Sequence, residues 1–331
     1  MVAVSGAALP RRAHGGPDAA GAAPFDFSTN ANACGPCPQA LARVQAADAT
    51  RYPDPAYQAL RERLAARHGV APARIVLAAS ASEAIFRLTA RAAQRGLRRV
   101  ALPAHAYGDY AHAAQAWGLD VEPGPGEGAV LRWQCDPSSP LGQPDPPGPG
   151  GLRVLDRAYA PLRLSGADPW SRAALEPVWQ LWSPNKALGL TGVRAAYLVA
   201  PEGGGDEAAV LERLAPSWPL GAHGVALLQA WCEPAVAAWL AQSLATLRSW
   251  KAQQQALCTG FGWTCLPSEA NFFCARVPGG GTAPLLRRLR RAGIRLRDAA
   301  SFGLPGHVRL GVLPPQGQAA LAAALRAEGA P

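Results

Sequence analysis

The sequence predicts an α/β protein in which a large domain with a mostly parallel sheet precedes a smaller α+β domain. Two patterns support this fold class. From Arg74 onwards, short apolar strand segments alternate with amphipathic helical segments, an order typical of a parallel sheet covered by helices on both faces. From about residue 235 the chain shifts to one long helix followed by strand, helix and strand, which favours a second, smaller unit. The length of 331 residues is enough for both units.

These patterns divide the chain into three segments. Residues 1–35 are rich in glycine, proline and alanine, and are predicted to form an N-terminal arm that packs with the small domain. Residues 36–235 carry the alternating strands and helices and are predicted to form the large domain. Residues 236–331 are predicted to form the small C-terminal domain.

The individual elements follow from the local sequence. Runs such as Ile75–Ala78 are short and apolar, as in buried strands, whereas the segments between such runs repeat apolar residues at helical spacing. Proline and glycine crowd residues 122–151 and leave little room for a helix there. The predicted helices are 39–47, 56–68, 82–95, 108–117, a long one from about 235, and 283–292; the predicted strands are 75–78, 100–103, 119–122, 154–156, 178–182, 195–199, 271–277 and 307–312.

The charge of the chain points towards a small acidic substrate rather than a nucleic acid. The formal net charge is +9, from 32 basic and 23 acidic side chains, and the arginines are dispersed. The densest cluster, at residues 287–291, is typical of the solvated face of a helix, and no aromatic interleaving accompanies it. Nucleic acid is therefore not an expected partner, and a basic balance fits an acidic small molecule at least as well.

Hydropathy and cysteine usage predict a reduced, cytoplasmic protein without a membrane partner. No apolar run approaches the roughly 20 residues that a membrane span needs, and the N-terminus lacks the charged region of a signal peptide. The seven cysteines are scattered and odd in number, and no metal site is expected. The run Cys34–Cys37 has the spacing of a redox dithiol, but it lies in a turn-rich segment instead of between a strand and a helix.

Lysine is rare in this chain, and only Lys186 and Lys251 occur among its basic residues. A guanidinium stays protonated, whereas an amine can lose its proton and condense with a carbonyl, so a lysine among so many arginines indicates lysine chemistry. Lys186 lies in a glycine-punctuated loop after the apolar run 178–182 and is predicted to be a Schiff-base lysine, with an ordinary loop lysine as the alternative. Lys251 lies in a helical stretch and is predicted to be a solvated surface charge.

Other residues could complete a site around Lys186. Ser82 opens a helix directly after a strand, where free N–H groups bind phosphate well, although a plain helix cap is the alternative. Asp156 ends a buried strand, where a carboxylate needs a cationic or hydrogen-bonding partner such as a pyridinium N–H. Ser183 and Arg194 flank the lysine and could close on a phosphate. Tyr107 follows a strand end and could stack on a flat ring or pack in the core.

These residues together describe a site for pyridoxal 5'-phosphate, PLP. The chain resembles the fold type I family of PLP enzymes, specifically the class I/II aminotransferase group, from about His14 to Leu325. Two branches are closest: threonine-phosphate decarboxylases of cobalamin biosynthesis and histidinol-phosphate aminotransferases. The runs 13–16 and 25–32 are similar to the start of the decarboxylases, and so is 51–54, of which both branches have versions. The resemblance implies a threonine-phosphate decarboxylase; the alternatives are a histidinol-phosphate-type transaminase or a PLP-binding protein with little turnover.

The resemblance also implies a role for each site residue. Lys186 carries the Schiff base, Asp156 keeps the pyridine nitrogen protonated, and Tyr159 bonds the phenolic oxygen of the ring. Arg309 binds the substrate carboxylate, and the enzyme is a homodimer in which Tyr52 reaches into the partner subunit's site. The remaining assignments are Ala81, Ser82, Tyr107, Ser139, Ser183 and Arg194 for the cofactor, and Arg297, His14 and Asn30 for the phosphorylated substrate.

Three departures from the family pattern bear on the substrate and on the rate. Ser139 stands where the family has the asparagine that bonds the ring oxygen, and it is shorter and offers a single donor. Arg157 replaces the glutamate that usually follows the strand aspartate. The stretch from Gly142 to Asp156 is shorter than usual and has lost a helix.

Overall fold

The computed structural model describes residues 14–279 and 281–327. Residues 1–13 of the predicted arm and residues 280 and 328–331 of the predicted small domain lie outside the described residues. In chain order the elements are β1 (Phe25–Asp26), α1 (Pro38–Gln45), α2 (Gln58–His68), β2 (Ile75–Ala78), α3 (Ala81–Gln94), β3 (Arg99–Leu102), α4 (Gly108–Ala116), β4 (Asp120–Pro123), β5 (Leu131–Cys135), β6 (Leu152–Asp156), α5 (Arg172–Leu175), β7 (Trp179–Trp182), β8 (Ala196–Val199), α6 (Gly205–Arg213), α7 (Ala222–Trp231), α8 (Pro234–Gly260), β9 (Thr264–Cys265), β10 (Phe272–Arg276), α9 (Thr282–Arg291), β11 (Ile294–Arg295), β12 (Arg297–Asp298), β13 (His307–Gly311) and α10 (Pro315–Arg326).

The largest sheet has seven strands in the order β2-β8-β7-β6-β5-β3-β4. Strand β8 runs antiparallel to both of its neighbours, and the other pairs are parallel. The parallel strands β5, β6 and β7 therefore end at the same edge of the sheet, where their loops can meet. The predicted α/β fold with a mostly parallel sheet is confirmed.

The core lies on both faces of this sheet. In β2, Ile75 and Leu77 belong to one buried apolar cluster, whereas Val76 and Ala78 belong to another, as the two-residue period of a strand requires. Helices α1, α2 and α7 pack against the first face, and α3 and α4 contribute to the second. Because both faces of the sheet are buried, its strands are continuous apolar runs in the sequence.

The C-terminal part contains a four-stranded antiparallel sheet in the order β12-β13-β10-β9. The N-terminal segment joins this part of the molecule, because β1 pairs in parallel with β11, placing Phe25 opposite Ile294. Phe27 is fully buried in the apolar cluster formed with these C-terminal elements. The domain boundaries at residues 35 and 235 stay a prediction.

The structure adds elements that the sequence did not reveal. Strand β5 lies inside the proline- and glycine-rich stretch 122–151, between turns that hide its apolar pattern. Helices α5, α6, α7 and α10 were also missed, and no helix lies between Gly142 and β6, as the sequence predicted. Helices α6 and α7 lack a side-chain cap at their N-terminus and start beside glycine, so the usual start signal was weak.

The prediction that Lys251 is a solvated surface charge is wrong. Its side chain is only 6% exposed and lies on the inner face of α8. The amine donates hydrogen bonds to the carbonyl oxygens of Ser268 and Ala270, at 2.5 and 2.7 Å. Burial lowers the pKa of Lys251 to about 8. Lys251 therefore ties α8 to the loop before β10, because a buried amine needs such acceptors.

Among the described residues, no single helix is both long and apolar enough to cross a membrane. Helices α7 and α8 meet the criteria of length and composition only as a pair, and this pair is bent by 72°.

Candidate active site

A cavity of about 390 Å³ opens at the edge where β5, β6 and β7 end, and strands β12 and β13 contribute to its other wall. Every predicted site residue except Tyr52 lines this cavity. Those residues are His14, Asn30, Ala81, Ser82, Tyr107, Ser139, Asp156, Tyr159, Ser183, Lys186, Arg194, Arg297 and Arg309.

Asp156 lies at the end of β6 and is buried. Its Oδ1 accepts a hydrogen bond from the backbone N–H of Ala158, and its Oδ2 accepts one from the hydroxyl of Tyr110, both at 2.8 Å. Burial raises the pKa of Asp156, while these two hydrogen bonds and the charge of Lys186 act to lower it. Each carboxylate oxygen has room for a second donor, so Asp156 can accept one more N–H from the cavity.

Two tyrosines at the start of α4 line the same cavity as this carboxylate. The hydroxyl of Tyr107 donates to Asp109 Oδ2 at 2.8 Å and lies 3.2 Å from Ser82 Oγ, and burial raises the pKa of Tyr107. Tyr110, one helical turn later, stacks on Trp133 with ring centroids 4.7 Å apart. Sequence reasoning missed Tyr110, although its spacing of three residues from Tyr107 on a helix was a usable signal.

The N-terminus of α3 faces the same cavity through Ala81 and Ser82. Ser80 caps this helix, because its Oγ accepts a hydrogen bond from the backbone N–H of Glu83 at 3.1 Å. Ser183 and Arg194 line the cavity as well. A helix N-terminus, hydroxyl groups and a guanidinium form a donor set that suits a phosphate dianion.

The loop that carries Lys186 is fixed by the N-terminal segment. The backbone N–H of Asn32 donates to the carbonyl of Lys186 at 2.8 Å, and that of Cys37 donates to Leu188 at 2.9 Å. The run Cys34–Cys37 therefore packs on the lysine loop, and both of its thiols are free. The amine of Lys186 lies 5.4 Å from the ring centroid of Tyr159.

Tyr159 and Ser139 have partners that the sequence did not indicate. The side-chain amide of Asn30 donates to the hydroxyl of Tyr159 at 3.1 Å. Ser139 Oγ lies 3.4 Å from Nη1 of Arg309 and accepts a hydrogen bond from it. Both contacts are buried and line the cavity.

Two arginines form the wall opposite the sheet. Arg297 and Arg309 are directly opposed on β12 and β13, and both guanidinium groups lie over the ring of Phe302, at 4.7 and 5.4 Å. Arg309 donates to the carbonyl of Ser28 at 3.0 Å, and Arg297 donates to Ser301 Oγ at 2.7 Å. Burial, followed by the charge of Arg309, lowers the pKa of Arg297 to about 10. Two cations held this close favour an anionic ligand.

Two predicted residues lie at or beyond the margin of the site. His14 is an exposed residue of the cavity wall, with its ring 6.1 Å from that of Tyr107. Tyr52 is 78% exposed, stacks on Trp218 at 4.4 Å and does not line the cavity of its own chain. The lining residues that sequence reasoning missed include Tyr110, Cys135, Asn185, Thr191, Ser301 and Phe302.

Fold and site together define an enzyme of the PLP-dependent class, and sequence comparison identifies the family. Residues 149–326 match the family described as aminotransferase class I and II, and the chain belongs to this family. A relative from Thiobacillus denitrificans, named histidinol-phosphate aminotransferase 1, is 31% identical over 86% of this chain and 80% of its own length.

Solved structures share the fold. Histidinol-phosphate aminotransferase from Sinorhizobium meliloti, in complex with pyridoxal-5'-phosphate, has a TM-score of 0.77 at 20% identity and covers 91% of this chain and 90% of its own. L-threonine-O-3-phosphate decarboxylase from Porphyromonas gingivalis has a TM-score of 0.69 at 21% identity and covers 87% of this chain and 92% of its own.

The cofactor of this enzyme is pyridoxal 5'-phosphate, and the residues present fit it. The buried carboxylate of Asp156 can accept the N–H of a pyridinium, and the donors around the N-terminus of α3 suit a phosphate. The amine of Lys186 opens into the same cavity, where a carbonyl could meet it. Ser139 lines this cavity as well, and its hydroxyl oxygen accepts a hydrogen bond from Arg309.

Proposed function

We propose that this chain is an aminotransferase that acts on a phosphorylated amine of the histidinol-phosphate type. The observation that carries the proposal is the pair Arg297 and Arg309 in the cavity that holds Lys186. A transaminase of this kind must bind a phosphate in one half-reaction and a dicarboxylate in the other, and two buried guanidinium groups suit both anions. The name of the Thiobacillus denitrificans relative supports the same activity.

Lys186 and Asp156 are proposed as the catalytic pair. When bound, pyridoxal 5'-phosphate supplies a carbonyl for the substrate amine and a ring that withdraws electrons from the substrate's Cα. Asp156 holds the proton on the ring nitrogen, because a buried carboxylate gains most from a cationic partner. The amine of Lys186 holds the proton that leaves the substrate's Cα and returns it, since it is a basic group on the cavity wall.

The other cofactor residues are proposed to orient the ring and the phosphate. Ser82, Ser183 and Arg194, with the N–H groups at Ala81, hold the phosphate at the start of α3. Tyr107 stacks on the ring, and the support for this role is its position on the cavity wall with its hydroxyl fixed by Asp109.

The substrate residues lie on the opposite wall. Arg309 is proposed to bind a carboxylate of the keto acid in one half-reaction and Arg297 the phosphate of the amine in the other, with His14 at the rim and Asn30 within reach of the phosphate. Phe302 packs against both guanidinium planes and so fixes the separation of the two anion sites.

Threonine-phosphate decarboxylation is the second candidate. The cavity position of His14, in the run 13–16 that is similar to the start of the decarboxylases, favours it. The fold shared with the Porphyromonas gingivalis decarboxylase is compatible with either reaction. The two reactions differ in which bond of the substrate's Cα breaks, the bond to hydrogen or the bond to the carboxylate.

A product assay with the PLP-loaded protein distinguishes transamination from decarboxylation. We expect glutamate to form from 2-oxoglutarate when histidinol phosphate is the amine donor, and no carbon dioxide to form from threonine phosphate. Carbon dioxide without glutamate would favour the decarboxylase. A protein that makes neither product would contradict both candidates.

The enzyme is further proposed to be a homodimer in which Tyr52 serves the partner subunit's site. The support is that Tyr52 is exposed and outside its own cavity, next to an exposed Trp218. Sedimentation velocity should give a species of twice the chain mass. Tyr52→Phe should weaken cofactor binding without changing that mass, and a monomeric enzyme with full cofactor affinity would contradict the role.

A further inference from the structure

The hydroxyl of Tyr159 has one proton to donate, and the structure limits where that proton can go. Asn30 already donates to this hydroxyl through Nδ2 at 3.1 Å, so the bond uses a lone pair of the tyrosine and leaves its O–H proton available. Within the described part of the chain, no other hydrogen bond of the Tyr159 hydroxyl is found. The free proton can therefore serve an acceptor inside the cavity that Tyr159 lines.

Asn30 and Tyr159 are both held in place. Asn30 is 2% exposed, and its backbone carbonyl accepts a hydrogen bond from the side chain of Asn271 at 3.1 Å. The ring of Tyr159 packs edge-on against Phe272, with centroids 4.8 Å apart. Asn30 Oδ1 is buried and has no partner among the described residues, which is a cost that a ligand in the cavity can remove. The amide is thus preorganised beside Tyr159.

Ser139 contacts the guanidinium group of Arg309 rather than the hydroxyl of Tyr159. Its Oγ accepts a hydrogen bond from Arg309, and Arg309 in turn donates to the carbonyl of Ser28. The serine that stands at the position of the family's asparagine therefore belongs to the surroundings of the substrate arginine. Among the described residues, the hydrogen-bond partner of the Tyr159 hydroxyl is Asn30.

We propose that Asn30 is a positioning residue that turns the Tyr159 hydroxyl into a donor to the phenolic oxygen of the cofactor, while Ser139 orients Arg309. Asn30 would offset the loss of the asparagine at position 139 by acting through Tyr159 rather than on the cofactor itself. The inference rests on the proposed function and on the contact with the cofactor ring that the family resemblance implies for Tyr159, but it does not depend on which substrate the enzyme uses.

A double-mutant cycle on cofactor affinity tests this coupling. The dissociation constant of pyridoxal 5'-phosphate is measured on the apoenzyme by fluorescence quenching, for Asn30→Ala, Tyr159→Phe and the double variant. We expect Asn30→Ala to weaken binding about five- to tenfold, the size of one net hydrogen bond. In the Tyr159→Phe background, Asn30→Ala should add less than about twofold, because residues that act through one bond are not additive. Independent, multiplying effects would overturn the proposal.

Two further variants extend the test. Asn30→Asp tests whether the hydrogen-bond donor of Asn30, rather than its shape, is required, and Ser139→Ala tests whether Ser139 contributes to cofactor binding. Asn30→Asp is nearly isosteric but only accepts hydrogen bonds when ionised, so it should draw the Tyr159 proton to itself and weaken cofactor binding at least as much as Asn30→Ala. Wild-type affinity in Asn30→Asp would show that Asn30 only fills space. Ser139→Ala should leave cofactor affinity within about twofold and raise the KM for the carboxylate substrate, as the loss of one hydrogen bond to a charged group predicts.

The cofactor absorbance against pH gives a second readout that needs no substrate. A hydrogen bond to the ionised phenolic oxygen lowers the pKa of the bound chromophore, so Asn30→Ala should shift this titration to higher pH and Ser139→Ala should not. Equal shifts in both variants would contradict the reassignment of Ser139. Asn30 and Tyr159 could prove coupled while the enzyme turns over neither histidinol phosphate nor threonine phosphate. The proposed activity would then be wrong, and the role inferred for Asn30 would still hold.

Discussion

The two walls of the cavity are built in different ways. The sheet wall, formed by Asp156, Ser183 and Lys186, takes its shape mainly from strand ends and from local bonds such as Asp156 to Ala158, while Asn32 of the N-terminal segment holds the lysine loop. The arginine wall, formed by Arg297, Arg309 and Asn30, depends on contacts between distant parts of the chain: Arg309 and Ser28 are 281 residues apart. It also contains a buried donor that has no partner among the described residues, Nε of Arg309. The sheet wall is preorganised, and the arginine wall is completed by an anion.

The largest expected effect comes from the amine of the sheet wall. Lys186→Arg keeps the positive charge but loses the nucleophilic amine, so turnover should fall by at least about 10³-fold. The loss should equal that of Lys186→Ala, measured as product formed by the PLP-saturated protein. Partial activity in Lys186→Arg alone would mean that charge, rather than the amine, is what the site requires.

The second largest loss of activity is expected from a change of Asp156, the carboxylate of the sheet wall. Asp156→Asn removes the charge that stabilises a protonated ring nitrogen, so kcat should fall by about 10²-fold or more. The far-ultraviolet circular dichroism spectrum should stay unchanged, because the amide fits the same space: its oxygen can still accept from the N–H of Ala158, and its NH2 can donate to the hydroxyl oxygen of Tyr110. Near-native turnover in Asp156→Asn would make Asp156 a structural residue.

The arginine wall should respond through binding rather than through kcat. Arg309→Lys replaces a planar fork by a point charge, so the KM of every carboxylate substrate should rise by about tenfold or more. Among amine donors, Arg297→Ala should raise the KM of the phosphorylated compounds and spare their unphosphorylated analogues. An equal loss for both kinds of substrate would make Arg297 structural and would remove the main support for a phosphorylated substrate.

The smallest effect on activity is expected from the second lysine, which lies outside both walls. Lys251→Met removes the donor to Ser268 and Ala270 and should cost about 1–3 kcal/mol in the free energy of unfolding, seen in urea titrations. Because the pKa of Lys251 is lowered to about 8 from 10.5, the unfolded chain binds more protons between these values. Stability should therefore rise with pH from about 8 to 10.5 in the wild type, and Lys251→Met should lose this contribution.

Much of the fold could be predicted because its strands are local signals. β2 and β6 are apolar runs bounded by turns, and the helices between them have apolar residues at helical spacing. Strand β5 was not predicted, because its five residues lie among prolines and glycines. Lys251 was misplaced since a helical lysine is usually solvated, and its acceptors lie 17 and 19 residues further on.

The candidate site, like the fold, has residues that local sequence predicts and contacts that it does not. Lys186, Asp156 and Ser183 follow directly from strand ends and from the scarcity of lysine, so sequence reasoning found them. The bond from Asn30 to Tyr159 spans 129 residues, and the one from Arg309 to Ser139 spans 170. Local sequence carries no signal for such pairs, because only the packing of the N-terminal segment and of the C-terminal sheet against the loops after β5 and β6 brings them together.

The central claim is that the cavity around Lys186 is the site where the cofactor binds covalently. Borohydride reduction of the PLP-loaded protein, followed by peptide mapping, tests it most directly, with Lys186→Arg as the matched control. We predict a single pyridoxyl group on Lys186 in the wild type and none in the control. A pyridoxyl group on Lys251, or an unlabelled wild-type protein, would contradict the account.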